Sequence, residues 1–505
     1  MPAPKAERSV ASGSDVFDVE GILSGKVTVM QAKIKHVCSE VLLKISPSAE
    51  ERKKMLTLAK DLEKKVARSA AMRGIDAVVR VEGSVAKDTW LREEPDVDVF
   101  MCLPPTIPRK ILGKVSLQIA REATEGARQV ERFAEHPYLE AFVEGFRVNI
   151  VPCYCAPRGE WLSATDRTPF HTDYVKERLN QSLRDEIRLL KRFMQGIRVY
   201  GAEIKVGGFS GYLCELLVIH CGSFTKVLEA FAKYNSRMVI DIEKYYASRE
   251  KELKLLFDEP LVVVDPVDKG RNVASAVKPD KIYTLLSAAR AFLKTPNKEF
   301  FFPTPTKPLP TNELKKTLET RGSDCLFLIF DAIKAVPDVV WGQLYRTQRV
   351  LCKMLELYDF KVPRSAVWSD EENLCAFVFE LYQRVLPGVR VHVGPPLERE
   401  NECESFLQKY TKNDTVVSGP YVENGRWVIE AKRKQRDAAE LLREKLEDGG
   451  VNVGVASLIA KALKVDFDLM VNDEIARVYE GNVKFAAFLT DFLAGKPFWL
   501  NTSEA

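Results

Sequence analysis

The chain has 505 residues, 46% hydrophobic and 29% charged, an ordinary globular composition long enough for about three domains. Its net charge of +4 excludes bulk attraction to nucleic acid, so any such contact needs local basic patches. No apolar run approaches the roughly 20 residues of a membrane span, and the start "MPAPKAERSVASGSDVFDVE" has no apolar core and soon turns acidic, which reads as a disordered tip over residues 1–24 rather than a secretory signal.

From Val27 to Ile45, apolar residues at 30, 34, 37, 41 and 45 predict a helix, and Ser46-Pro47-Ser48 breaks it and opens another. Met55, Leu58, Leu62 and Val66 give that second helix its stripe, and Arg73-Gly74 ends it. "IDAVVRVEG" predicts a strand running into Gly83-Ser84, and "VDVFMCLPP" a second strand stopped by Pro104-Pro105. A helix around 108–128 and the segment "PYLEAFVEGFRVNIVPCY", with a hairpin turn at Gly145, complete an α/β unit. After Tyr154 the texture is helical: Leu183, Ile187, Leu190 and Met194 form one stripe, and "GFSGYLCELLVIHCGSF" reads as a largely buried helix. The proline-rich "TPNKEFFFPTPTKPLPT" marks a domain boundary, beyond which strands and helices mix, including a hairpin at Asn424-Gly425. Ten cysteines are scattered without a C-x-x-C pair, which argues for reduced thiols and a cytoplasmic location, nucleus or mitochondrion left open.

The alternation Asp96-Val97-Asp98-Val99 has the period of a strand, so both carboxylates leave one face. Like charges so placed repel unless a cation lies between them, and hard oxygen donors suit Mg²⁺; an edge strand with a solvated acidic face is the plain alternative. Gly83-Ser84 between a strand and a helix is an anion site, weak when it stands alone.

Together, Gly83-Ser84 and Asp96-x-Asp98 resemble the nucleotidyltransferase superfamily, and the resemblance narrows further. "GSVAKDTWL", "DVDVF", "AEHPYLEAFVEG", "VNIVPCY", "SATDRTPFH", "EIRLLKRF", "YGAEIKVGGFSGYLCELL", "VVDPVDKGRNVA", "PRSAVW" and "ENGRW" keep their order from about 83 to 433. They are similar to the archaeal-type (class I) CCA-adding enzymes, tRNA nucleotidyltransferases.

The resemblance implies an α+β multidomain chain: a polymerase-β-like palm over 25–155, a helical central nucleotide-recognition domain over 156–297, and an α+β tRNA-binding region over 298–505. It implies Mg²⁺ on Asp96 and Asp98, the first commonly Glu in the family. It implies triphosphate contacts from Gly83, Ser84, Lys87 and Thr89, contacts to the nucleotide from His171, Lys191 and Tyr200, and CTP or ATP selection with the help of Arg271. A dimer is implied as well. Bound to the RNA would be the basic stretch Lys432, Arg433, Lys434 and Arg436, or else Arg188 to Arg198; in both, a solvated face is at least as good a reading of the charge.

One position departs. Where the family has its third catalytic carboxylate, this chain has Asn149, which keeps one carbonyl ligand but loses the charge and all basicity. Three explanations stand open: a replacement made to trap a substrate complex, a tRNA-binding relative whose chemistry has lapsed, or compensation by a neighbouring acid. Glu144, the nearest in sequence, has the wrong strand parity. The expected reaction is template-independent addition of C, C and A to immature tRNA from CTP and ATP, with a poly(A) polymerase-like enzyme as rival.

Overall fold

The computed structural model describes residues 19–133 and 135–500, with side chains from residue 29 onward. Most of the expected N-terminal tip therefore lies outside the described residues. The chain divides into two compact units, Met1–Pro303 and Thr304–Ala505, the change falling inside the proline-rich segment.

Unit 1 opens with helices α1 (Val19–Ile45) and α2 (Ala49–Met72). The first begins eight residues before the periodicity announced it, inside the stretch read as a disordered tip. Ser48 caps α2 in a capping box, its hydroxyl accepting from the Glu51 N–H at 3.1 Å while Glu51 accepts from the Ser48 N–H at 2.7 Å. The expected stripe of Met55, Leu58, Leu62 and Val66 is buried.

Then follow β1 (Val78–Glu82), α3 (Gly83–Lys87), β2 (Asp96–Leu103), α4 (Arg109–Ala123), β3 (Arg128–Phe133), β4 (Pro137–Val143) and β5 (Phe146–Tyr154). They make one sheet in the order β1-β2-β5-β4-β3. Strand β3, mostly polar and with no buried residue, was not foreseen. Val97, Val99, Val148 and Ile150 point into the core with α2 and α4, so the alternate residues of β2 and β5 face the other way. The turn between β4 and β5 puts Glu144 and Gly145 at positive φ, 52° and 84°.

Helices α5 (Thr168–Arg178), α6 (Gln181–Gly196), α7 (Gly211–Cys221) and α8 (Phe224–Ala232) follow; α5 packs on β1 and α3, and α6, α7 and α8 pack on one another. The stretch read as one buried helix is α7, which Gly222 (φ 88°) ends; Ser223 then caps α8, a separate helix that was not foreseen. A small parallel pair, β6 (Met238–Ile240) and β7 (Leu261–Val263), with α9 (Glu250–Leu256) between, and α10 (Pro279–Lys294) complete the unit.

Unit 2 contains α11 (Thr311–Thr320), β8 (Asp324–Asp331), α12 (Pro337–Leu357), β9 (Arg364–Ser369), β10 (Leu374–Leu381), β11 (Val389–Pro396), α13 (Glu400–Tyr410), β12 (Val416–Glu423), β13 (Arg426–Lys432), α14 (Ala438–Leu446), α15 (Ser457–Val465), β14 (Asp468–Val471), α16 (Ala476–Gly481) and α17 (Val483–Ala494). Its sheets are β14-β8-β10-β9 and β11-β13-β12. The first is buried on both faces, one by Leu326, Leu328 and Phe377, the other by Phe327, Ile329 and Val378. No single helix among the described residues is long and apolar enough to cross a membrane.

Candidate active site

A cleft of about 410 Å³ opens in unit 1 between the polar face of the β1-β2-β5 sheet and helices α5, α6 and α7. Strand pairing sets its base. In register, Glu82 lies opposite Asp98, Asp98 beside Asn149, and Asn149 opposite Glu140, one row of side chains across four strands. One step along, Asp96 lies beside Arg147.

Asp96 and Asp98 line the cleft with Gly83 and Ser84. Gly83 has φ 68°, and a Cβ there would stand 2.2 Å from Asp98 Oδ2, so only glycine admits the carboxylate beneath the turn. Burial, partly opposed by the amide of Asn149, pushes the Asp98 carboxyl up to about 6. Asn149 Nδ2 donates to Asp98 Oδ1 at 2.9 Å. Arg147 donates through Nε to Asp96 Oδ1 at 2.8 Å, and its Nη2 holds Oδ2.

Lys87 and Thr89 follow the turn and are buried, as is Lys191 on α6. All three meet at Glu215 of α7: Lys87 Nζ at 2.5 Å, Lys191 Nζ at 3.0 Å and Thr89 Oγ1 at 2.7 Å. Burial alone would raise the Glu215 carboxyl, but the two ammonium charges and these bonds outweigh it and hold it at about 2. Burial lowers Lys191, whose bond to Glu215 pulls the other way. With three donors on one carboxylate, the cluster is ionised.

Tyr200 lines the cleft from the loop after α6. A Cβ on Gly211 would lie 3.0 Å from its hydroxyl, so the start of α7 packs directly on Tyr200 and Lys191.

His171, on α5, stacks on Tyr212 at 4.2 Å between ring centroids. Its Nε2 lies 2.9 Å from Oδ2 of the fully buried Asp265, and burial lowers the imidazole's pKa. Arg271 does not line the cleft; it donates to Asp265 at 2.7 Å and reaches the site through that carboxylate.

Sequence reasoning missed Glu215, Asp265, Tyr212 and Arg147. The first was detectable in principle as the lone acid in an apolar helix, which must find a buried partner. It also passed over Glu82, fully buried, whose Oε1 lies 2.8 Å from Arg80 Nε and whose carboxyl burial nonetheless raises to about 7. Compensation by Glu144 fails on geometry, since it sits in the β4–β5 turn; the acids in the row with Asn149 are Glu82, Asp98 and Glu140.

Arg188 to Arg198 is not an open basic face. Arg188 is fully buried, donating to the carbonyls of Trp90 at 3.1 Å and Asp88 at 2.6 Å, and Lys191 is equally enclosed. In unit 2, Lys432, Lys434 and Arg436 are exposed, while Arg433 is paired with Asp359.

Alternate aspartates on a strand beneath a Gly-Ser turn, with lysines buried alongside, define a nucleotidyltransferase. Family models agree: a nucleotidyltransferase domain matches residues 60–179, the second domain of tRNA nucleotidyltransferases 185–302, and the C-terminal domain of CCA-adding enzymes 321–472. The CCA-adding enzyme of Methanosarcina barkeri is 39% identical over 87% of this chain and 94% of its own length. That of Halobacterium salinarum is 36% identical over 87% and 94%. The chain belongs to the CCA-adding enzyme family. Among solved structures, E. coli MS115-1 CdnC with ATP covers 54% of this chain and 93% of its own at a TM-score of 0.41 and 18% identity.

Divalent metal ions are general in the nucleotidyltransferase superfamily. Here the donors fit such an ion in reduced form: two carboxylates on one face of β2, Asp98 directly beneath the Gly83 turn, plus the Asn149 carbonyl. Among the described residues no group of three His, Cys, Asp or Glu is placed to hold a metal.

Proposed function

We propose that this chain adds C, C and A to the 3′ end of immature tRNA, taking CTP and ATP and releasing pyrophosphate. Within the family, the observation that carries the reading is the single cleft in which Ser84, Asp96, Asp98, His171, Lys191 and Tyr200 converge.

In this reading Gly83 and Ser84 receive the triphosphate, and the lysines held by Glu215 supply its positive wall. His171, Lys191 and Tyr200 meet the phosphate and sugar, and Asp265 steadies Arg271 for base choice. Mg²⁺, bound through Asp96 and Asp98 with the Asn149 carbonyl, would supply charge neutralisation at the phosphates. Asn149 cannot accept the proton of a 3′-hydroxyl, so turnover is slow. Lys432, Lys434 and Arg436 hold the RNA by its phosphates.

The test gives the chain and its Asn149→Asp form a tRNA lacking CCA, with Mg²⁺, CTP and ATP, and resolves the 3′ ends to single nucleotides. The aspartate form should extend by C, C and A about 10²–10⁴-fold faster. Comparable rates would remove the role given to position 149, and no extension by either form would remove the CCA reading. Incorporation of A alone would favour the poly(A) polymerase-like rival. A second reading, tRNA binding without turnover, rests on Asn149 itself; it holds if only the aspartate form extends.

A further inference from the structure

Register places a donor beside each aspartate of β2: Arg147 beside Asp96 and Asn149 beside Asp98. Both oxygens of Asp96 are held by one guanidinium, and one oxygen of Asp98 by an amide N–H. One cation against two carboxylates leaves this edge of the cleft with a single net negative charge, little to attract a free divalent ion.

Arg147 is not locked away. Its side chain is 48% exposed and lines the cleft beside Gly83 and Ser84, where the triphosphate is placed in the reading above. A guanidinium fork matches phosphate as well as carboxylate, and a triphosphate offers it more charge than one aspartate does.

We propose that Arg147 is an internal counter-cation that exchanges partners. In the empty cleft it stands at Asp96 in place of a divalent ion. When a nucleoside triphosphate enters, Arg147 passes from Asp96 to the phosphates and releases the Asp96 oxygens to the ion arriving with the nucleotide. The cleft then takes up cation and nucleotide together, not cation first. This rests on the nucleotidyl-transfer reading and adds to it a positioning residue and an order of binding. No covalent bond changes.

The experiment uses the full chain without RNA, so that turnover plays no part. Free Mn²⁺ is followed by its electron paramagnetic resonance signal, first with protein alone and then with CTP added. CTP binding is measured separately in EDTA by calorimetry. The chain as it stands should leave free Mn²⁺ essentially unbound until CTP is present. Arg147→Ala should bind Mn²⁺ alone at least about tenfold more tightly, and should bind CTP in EDTA about tenfold more weakly. Arg147→Lys, which keeps the charge but loses the fork, should fall between on both measures.

Equal Mn²⁺ affinity in the chain and in Arg147→Ala overturns the proposal. So does tighter Mn²⁺ binding with CTP affinity unchanged, because the exchange then has no second partner. Matched melting curves guard against a folding defect, and Arg147→Gln serves as the second variant should alanine not fold. If these outcomes hold while neither chain nor Asn149→Asp extends tRNA, the inference stands and the CCA reading falls.

Discussion

Glu215 is the anion on which the cleft's two lysines rest. It is 1% exposed, and its partners Lys87 and Lys191 stand 128 and 24 positions away in sequence. Breaking one side of a buried ion cluster leaves charge uncompensated, so Glu215→Gln should lower stability by about 3–5 kcal/mol, read as a fall in the urea midpoint. Glu215→Gln with Lys191→Met should be less damaging than the single change, since one stranded ammonium is gone. Equal losses would show that the ionic pairing is not the cause. At this scale the sequence was legible where chemistry is local. Gly83-Ser84 and Asp96-x-Asp98 declare themselves by adjacency and alternation. Glu215, Asp265 and Arg147 act through pairings that only the folded chain creates, and Arg147 reads as a surface residue until β5 is laid beside β2 in register.

Strands with strict alternation, and helices with a cap and a stripe, were legible as elements. The β4–β5 hairpin, the break at Ser46-Pro47-Ser48 and the Asn424-Gly425 turn (φ 48° and 71°) are all written in local residues. Helix α8 escaped because its nine residues follow α7 after only Gly222-Ser223, too short a run to set a stripe of its own apart from the apolar one before it. β10 shows how elements are fastened. Its Glu380 accepts from Arg364 of β9 at 2.7 Å, from Arg321 just after α11 at 2.5 Å and from Ser323 at 2.6 Å. Burial would raise its carboxyl, but these donors hold it at about 2 against an ordinary 4.5. A depressed carboxyl stabilises fully above its unfolded value and loses that contribution as pH falls through the folded one. The stability gap between the chain and Glu380→Gln should therefore be about 3 kcal/mol at pH 7 and should close between pH 4.5 and 2. Urea titrations of both proteins across that range measure it, and a gap that stays constant would count against the ion cluster.

Each unit of the molecule carries its own core: α2 and α4 against the first sheet in unit 1, both faces of the β14-β8-β10-β9 sheet in unit 2. The boundary was legible because prolines interrupt periodicity, and the near-continuous apolar run of β8 is what burial on both faces demands. Less could be read of the order of strands within the sheets, since β14 joins β8 from more than 130 positions away. The cleft, by contrast, lies wholly within unit 1, assembled from segments that the ordered motifs already marked.

The row Glu82, Asp98, Asn149 and Glu140 has a consequence for folding itself. A fourth acid at its centre would put an unbroken line of carboxylates across the sheet, with Glu82 and Asp98 already raised by burial to about 7 and about 6. Asn149→Asp, the change expected to speed extension, should then lower the melting temperature in EDTA by an amount equivalent to roughly 1–3 kcal/mol and recover it when Mg²⁺ is added. The chain with Asn149 should melt at nearly the same temperature in both buffers. A sheet with an amide at its centre assembles on its own hydrogen bonds, whereas one with a carboxylate there would rely on mineral supply to hold its shape.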